Sequence, residues 1–340
     1  MHYQEANDVI SAKLKEMGRL FKKESITHRV AMDPRTGTPL IYKAQDSWFI
    51  NIQDLKERLI AENEGINWQP NHLKHGQFLK SMEGAPDWCI SRSRYWGTPM
   101  PIWIGRDEAG NEVDMKVFGS REEIETISGM KVTDFHRPFI DDIAWTENGI
   151  TYKRIPEVLD VWMDSGSMPY AQEHYPFENT EKMKASYPAD FIVEYIGQVR
   201  AWFYVMHVVG VAVFDQRSFS NVITTGIVNG NDGRKMSKSY GNYPDPRKTI
   251  ETYGADAIRF YMANSPLLTG GNMDFKEEGI VEVIKKVILP LWNTYSFFTT
   301  YANIDKFSPS PHLTSPIGRG MEQNSHNNNV APSLPLGETE

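Results

Sequence analysis

The chain has 340 residues, 40% of them apolar and 24% charged, which suits a globular protein of one large domain or two smaller ones. A net charge of −8 and a pI near 5.7 argue against a general nucleic-acid coat, because neutralising phosphates is the main source of non-specific affinity. The single cysteine, Cys89, excludes an internal disulfide framework and a cysteine-rich zinc site; no apolar run reads as long enough to span a bilayer, and Met1-His2-Tyr3-Gln4-Glu5 lacks the layout of a signal peptide, so a reducing cytoplasm is the expected location.

In chain order, Ile10, Leu14, Met17 and Phe21 recur near helical spacing, with Asn7 or Asp8 as the expected cap and Gly18 as the stop. A turn follows over Asp33-Pro34-Arg35-Thr36-Gly37-Thr38-Pro39, then the short apolar stretch Leu40-Ile41-Tyr42. Residues Ile52 to Ile60 predict another short helix. From about Asp107 to Arg154 the chain is polar and broken by Gly110, Gly119 and Gly129, which predicts a small inserted subdomain.

The most regular part begins at Asp190. Phe191-Ile192-Val193 suits a buried parallel strand, an apolar helix is expected from Gln198 to Phe214, and Val222 to Val228 reads as a β-branched strand. Strand, helix, strand and a glycine-containing loop is the rhythm of a doubly wound α/β sheet, whose ligands bind beyond the carboxyl ends of the strands. Glu194 and the loop after Val228 are therefore expected to face one crevice. Further on, Ile280, Ile284, Val287, Ile288, Leu291 and Tyr295 predict a long helix with a kink at Pro290. After Lys306 the apolar period disappears and disorder is expected.

Chemistry concentrates between Asn231 and Lys248, where Arg234, Lys235, Lys238, Arg247 and Lys248 face only Asp232 and Asp245. Two readings are open: a solvated surface loop, or a grip on a small polyphosphate. Within it lies Lys235-Met236-Ser237-Lys238-Ser239, preceded by Asp232-Gly233-Arg234. Two lysines on one loop can bring two point charges to a triphosphate. When an acid attacks the α-phosphate of ATP, charge builds on the departing pyrophosphate, and lysines placed there stabilise the transition state more than the ground state. Gly233 supplies backbone freedom and the serines further donors.

Lys235-Met236-Ser237-Lys238-Ser239 resembles the second signature of class I aminoacyl-tRNA synthetases, and its context resembles the isoleucyl branch. The stretch from Asp87-Trp88-Cys89-Ile90-Ser91-Arg92-Ser93-Arg94-Tyr95-Trp96-Gly97 to Pro99 is similar to a core segment of that family, as is Leu159-Asp160-Val161-Trp162-Met163-Asp164-Ser165-Gly166-Ser167. Pro39 to Tyr42 with Ser47-Trp48-Phe49, Asn242-Tyr243-Pro244-Asp245-Pro246, and Tyr253-Gly254-Ala255-Asp256-Ala257-Ile258-Arg259 also fit. The likeness runs from about residue 1 to 305.

The resemblance implies roles residue by residue. Lys235 and Lys238 would contact the ATP phosphates, with Ser237 beside them; Glu194, Gly197 and Gln198 sit where the family holds the aminoacyl-adenylate; Trp162 and Trp202 match positions that wall the amino-acid pocket. Taken alone, Trp202 on an apolar helix would be core and Glu194 a surface acid. The implied organisation is the end of an editing insertion over 1–52, the second half of a Rossmann-like catalytic domain over 53–265 with a small insertion at about 107–154, a helical junction and the start of an anticodon-binding domain over 266–305, and a disordered tail over 306–340. The implied reaction is ATP-dependent activation of isoleucine and transfer to tRNA, with Mg²⁺ travelling with ATP and no zinc. The alternatives are the valyl branch, which Arg92 to Pro99 disfavours, and a non-catalytic fragment that binds nucleotide or protein.

Departures matter as well. The first signature of the family, His-x-Gly-His, does not occur; His72-Leu73-Lys74-His75-Gly76 has the wrong spacing. The expectation is a chain inactive without a separate N-terminal half, with apolar surface exposed where that half would dock. Where the family often has Glu-Gly-x-Asp-Gln, this chain has Glu194-Tyr195-Ile196-Gly197-Gln198, which puts the ribose contacts in question.

Overall fold

A computed structural model describes residues 3–33, 36–41 and 43–308. Pro34, Arg35 and Tyr42, and the tail expected to be disordered beyond Ser308, lie outside the described residues. The chain divides into two compact units, one formed by 1–51 with 87–161, the other by 52–86 with 162 onward. Residues 87–106 fall within the first unit.

Helix α1 covers Tyr3–Glu16. It starts ahead of the expected cap, so Asn7 lies inside it and its carbonyl accepts the Ser11 hydroxyl at 2.6 Å. Gly18 follows the helix at φ +65°, a conformation glycine takes without strain, while Phe21 falls beyond the helix, fully exposed. Next come strand β1 (Phe49–Ile50), helix α2 (Ile52–Asn63), strand β2 (Asn67–Gln69), a π-helical turn at Lys74–Phe78 and helix α3 (Leu79–Glu83). Helix α2 runs three residues past the expected Ile60; Ile52, Leu55, Leu59 and Asn63 form its buried stripe.

Strands β3 (Trp88–Cys89), β4 (Ser91–Arg92), β5 (Ile102–Arg106) and β6 (Glu112–Val117) precede helix α4 (Arg121–Ser128). Strands β7 (Ala144–Glu147), β8 (Ile150–Arg154) and β9 (Val158–Leu159) complete the first unit. Its main sheet is antiparallel in the order β6-β5-β8-β7 and packs Trp103, Ile124, Val132, Ile140, Ile143 and Tyr152 into one cluster. The sheet begins upstream of the expected insertion because Ile102-Trp103-Ile104 is buried throughout. Two of the family-like segments meet here: β4 pairs with β9, and buried Asp160 accepts from Trp88 Nε1 at 3.1 Å and from the Arg92 guanidinium at 2.5 Å.

The second unit continues with helices α5 (Val161–Gly166, at the border), α6 (Met168–Ala171) and α7 (Thr180–Ser186), then strand β10 (Ile192–Tyr195). A 3₁₀ turn at Ile196–Arg200 leads into helix α8 (Trp202–Phe214), followed by strands β11 (Asn221–Thr225) and β12 (Val228–Asn229). Helices α9 (Pro246–Tyr253) and α10 (Ala255–Ala263) precede strand β13 (Met273–Asp274). The small sheet is parallel, in the order β10-β11-β2, with Ile192 beside Val222 and Val222 beside Trp68.

Three expectations are corrected here. Strand β10 starts one residue and ends two residues later than expected, and only Ile192 on it is buried; Phe191 and Val193 are 51% and 45% exposed, because β10 is an edge of the described sheet and lacks a covering layer. Strand β11 stops at Thr225 because Gly226 meets the backbone of Gly271, where an added Cβ would lie 1.8 Å from the carbonyl oxygen. The chain then steps across to pair β12 with β13. The helical stretch Ile196–Phe214, 19 residues, is in fact long and apolar enough by length and composition to cross a membrane. Eight residues of α8 are buried inside the unit, so it is a core helix. Trp68, Phe78 and Phe219 pack against Phe203 and His207 of this helix, and His207 Nε2 lies 2.8 Å from the Leu59 carbonyl.

The expected long helix is helix α11 (Glu277–Val283), a π-helical turn at Ile284–Ile288 and helix α12 (Leu289–Ile304). Pro290 cannot donate a backbone hydrogen bond and its ring crowds the preceding turn, which widens to the π form. Ile280 and Val283 pack with Ala257, whereas Leu291 and Tyr295, expected on the same apolar stripe, are exposed.

Candidate active site

Strands β10 and β11 end side by side, and their last residues, Tyr195 and Thr225, open onto a cleft of about 650 Å³. Ile227, Met236 and Leu267 supply apolar walls, and Lys235 and Arg259 are its two charged lining residues, both cationic. A cleft at the carboxyl ends of parallel strands is where this architecture places ligands. Glu194 does not line it. Successive strand residues point to opposite faces, so Tyr195 takes the place expected for Glu194, which is exposed.

The lysine loop is a hydrogen-bonded hairpin. Met236 N–H donates to the Val228 carbonyl at 3.3 Å, Gly230 N–H to the Arg234 carbonyl at 2.8 Å, and Asn229 bridges to Lys235. Gly233, at φ +74°, makes the turn. Asn242 fastens the hairpin from behind. Its Oδ1 accepts Ser237 N–H at 2.9 Å, while its Nδ2 lies 2.9 Å from Asp232 Oδ1 and 3.1 and 3.3 Å from the Arg234 and Lys235 carbonyls. Asp232 is pushed down to about 2 by the Asn242 amide, the Arg234 N–H and the Arg234 guanidinium. That guanidinium also stands 4.4 Å from the Tyr240 ring centroid.

The two lysines are placed differently. The Lys235 ammonium lies 4.5 Å from the centroid of the Tyr195 ring and donates to the Tyr195 hydroxyl at 3.3 Å. Lys238 is exposed, with no ion pair or side-chain hydrogen bond among the described residues, and the hydroxyls of Ser237 and Ser239 bond to each other at 2.7 Å. Gly197 leaves room for the Tyr195 ring: a Cβ there would sit 2.4 Å from it. Gln198 turns its amide oxygen inward to accept Trp202 N–H at 3.0 Å, which satisfies a backbone donor at the start of α8.

Trp202 is half-buried and donates its indole N–H to the Ser165 carbonyl at 3.0 Å, tying α8 to α5, the helix that carries Trp162. Trp162 is 37% exposed, and neither indole lines the 650 Å³ cleft. Among the described residues no group of three or more His, Cys, Asp or Glu stands where it could hold a metal ion. Tyr195, Asn242 and Arg259 were not singled out as site residues by sequence reasoning. Tyr195 stood out only as a departure from the family pattern, and an Asn five residues past a loop serine signals turn-making more than any particular loop.

Residues 2–274 match the family of class I tRNA synthetases for I, L, M and V. The chain belongs to this family. It is 46% identical over 313 residues to the isoleucine–tRNA ligase of Protochlamydia amoebophila, covering 92% of this chain and 30% of that protein. With the isoleucine–tRNA ligase of Chlamydia muridarum the identity is 49% over 305 residues, covering 90% and 29%. The chain therefore spans about three-tenths of the length of these curated relatives. Among solved structures, methionyl-tRNA synthetase of Mycobacterium tuberculosis in complex with methionyl-adenylate aligns with a TM-score of 0.50 at 19% identity, over 76% of this chain and 40% of that one. This likeness establishes the fold: a mixed α/β class I catalytic-domain-like arrangement with a small parallel sheet.

Proposed function

We propose that the chain is the later part of the catalytic core of an isoleucine-specific synthetase, cytoplasmic, acting on isoleucine, ATP and tRNA. The observation that carries this reading is the lysine loop closing over a cleft at the ends of β10 and β11, in a chain close to half identical to isoleucine–tRNA ligases. In this reading the isoleucine carboxylate attacks the α-phosphorus of ATP and pyrophosphate departs. Lys235 and Lys238, with Ser237, take up the charge that develops on the leaving group. Glu194, Gly197 and Gln198, on or just after β10 and outside the lining of the cleft, are the residues proposed to hold the adenylate, and Trp162 and Trp202, also outside that lining, are proposed to wall the isoleucine side chain beside it. No covalent enzyme intermediate and no general base are required; positioning and charge stabilisation carry the step. Mg²⁺ enters as part of the ATP substrate.

In this reading the His-x-Gly-His half of the nucleotide site is supplied by a segment other than residues 1–340, which completes the doubly wound sheet beside β10. The exposed edge of β10, with Phe191 and Val193 uncovered, supports that docking. Residues 1–52 then end an editing insertion, 53–265 are the second half of the catalytic domain with an insertion at 107–154, and 266–305 lead into an anticodon-binding domain. The test is isoleucine-dependent ATP–pyrophosphate exchange with the chain alone, with an N-terminal half supplied in trans, and with Lys238→Ala in both. The expected result is exchange only in the complemented sample, reduced at least about 100-fold by the substitution. Exchange driven equally by valine, or indifferent to Lys238→Ala, would overturn the assignment.

A further inference from the structure

Helix α10 carries a cation whose role the lysine loop does not account for. Arg259 lines the same cleft as Lys235, and its guanidinium has no ion pair or hydrogen bond among the described residues. Among the described residues no Asp or Glu lines that cleft. Arg259 and Lys235 thus bring two like charges to one partly apolar cavity. Lys235 has a partial partner in the Tyr195 ring and hydroxyl. Arg259 has none. Two uncompensated cations in a shared cleft repel each other until an anion occupies the space between them, and the planar guanidinium fork matches a phosphate through two parallel hydrogen bonds where an ammonium offers a single point charge.

We propose that Arg259 is an anion-binding residue of this site that grips a phosphate group of the bound polyphosphate together with Lys235. The inference rests on the lysine-loop reading given above and extends it from the loop to helix α10. The apolar walls, Ile227, Met236 and Leu267 among them, fit a ligand with a polyphosphate at one end and an apolar or aromatic body at the other, so a nucleoside triphosphate should bind more tightly than bare tripolyphosphate. Because Arg259 is exposed and sits on the solvent side of α10, whose buried residue is Ala257, changing it should leave the fold intact.

The experiment is calorimetric titration of the chain with sodium tripolyphosphate and with ATP, for the parent, Arg259→Gln, Arg259→Lys and Lys235→Gln, each checked for an unchanged melting temperature. Expected are about tenfold weaker binding of both ligands in Arg259→Gln, a smaller loss in Arg259→Lys, and a comparable loss in Lys235→Gln. Binding to Arg259→Gln within twofold of the parent, with Lys235→Gln impaired, would overturn this inference and leave the lysine-loop reading standing. Weakening by Arg259→Gln alone would support the arginine site and remove Lys235 from it. If the parent binds neither ligand at millimolar concentration, both readings fail together.

Discussion

Replacing Asn242 by alanine is the sharpest probe of how the lysine loop is held. The side chain accepts Ser237 N–H at 2.9 Å and donates towards the Arg234 carbonyl at 3.1 Å, in addition to its contacts with Asp232 and Lys235. Two backbone hydrogen bonds at about 1 kcal/mol net each make a loss of about 2 kcal/mol, or roughly 30-fold in the ratio of open to closed hairpin. The opening is local, so the melting temperature should barely move. Amide hydrogen exchange reads it directly: Met236 and Ser237 should exchange about 30-fold faster, while the β11 amides in the sheet keep their protection. In the same variant the Asp232 carboxyl, now at about 2, should rise towards its ordinary range, because the Asn242 amide is the largest cause of its depression. Unchanged protection at Met236 would refute the reasoning, since the Asn229–Lys235 bridge and the Gly230 turn would then suffice. Equal acceleration in β11 would show that Asn242 belongs to the global fold instead.

The remaining predictions concern the core and the seat of Lys235. Burial pushes His207 down to about 4, so between pH 6.5 and 4 the unfolded chain takes up a proton that the folded one refuses. Stability should be complete above pH 6.5 and fall by about 3 kcal/mol as the pH drops to 4; urea midpoints against pH should show that slope flattened in His207→Phe, and an undiminished slope would assign it to other groups. Gly197→Ala should drive the Tyr195 ring off Lys235, because the new Cβ would meet the ring at 2.4 Å. The expected readout is a changed chemical shift of the Lys235 side chain with a stability loss of no more than about 1 kcal/mol, and an unchanged shift would mean the ring finds another seat over the ammonium.

Much of the second unit could be read from sequence because its signals are local. The β-branched run at Val222 to Thr225, the glycine-broken lysine loop and the apolar helix ending at Phe214 each carry their own periodicity or turn chemistry. What could not be read depends on neighbours distant in sequence. Strand β11 ends where it does because Gly271 approaches Gly226 across 45 positions, and nothing near Gly226 announces that contact. Phe191 and Val193 look like buried strand residues and are exposed, because burial depends on what covers β10, not on β10 itself. The pairing of Lys235 with Tyr195 spans 40 residues, and the family pattern, with a glycine at that position, pointed away from it. Helix α1 began early for the opposite reason: an exposed helix has no packed stripe to fix its register, so its apolar spacing predicts little about its ends.

The site divides into a fixed part and an adjustable part, and that division decides how its residues should respond to change. Gln198 ties the 3₁₀ turn to the first N–H of α8, Trp202 ties α8 to α5 through Ser165, and Gly166 lets the two helices approach until its added Cβ would lie 3.3 Å from the Val205 carbonyl. These contacts are partly buried and serve backbone groups, so substitutions among them should disturb Trp162 and Trp202 together and lower stability as well as ligand binding. The lysine hairpin is held instead by a few backbone hydrogen bonds, by Asn242 and by the contact of Lys235 with Tyr195, an arrangement closer to solvent. It can be reshaped at a cost of a few kcal/mol, within what a bound polyphosphate can supply through two or three charge-assisted contacts. In the proposed reading the loop closes on its ligand and opens for product, which needs that balance. Strengthening the hairpin, as by a second anchoring hydrogen bond, should therefore slow release of the product before it improves binding of the substrate.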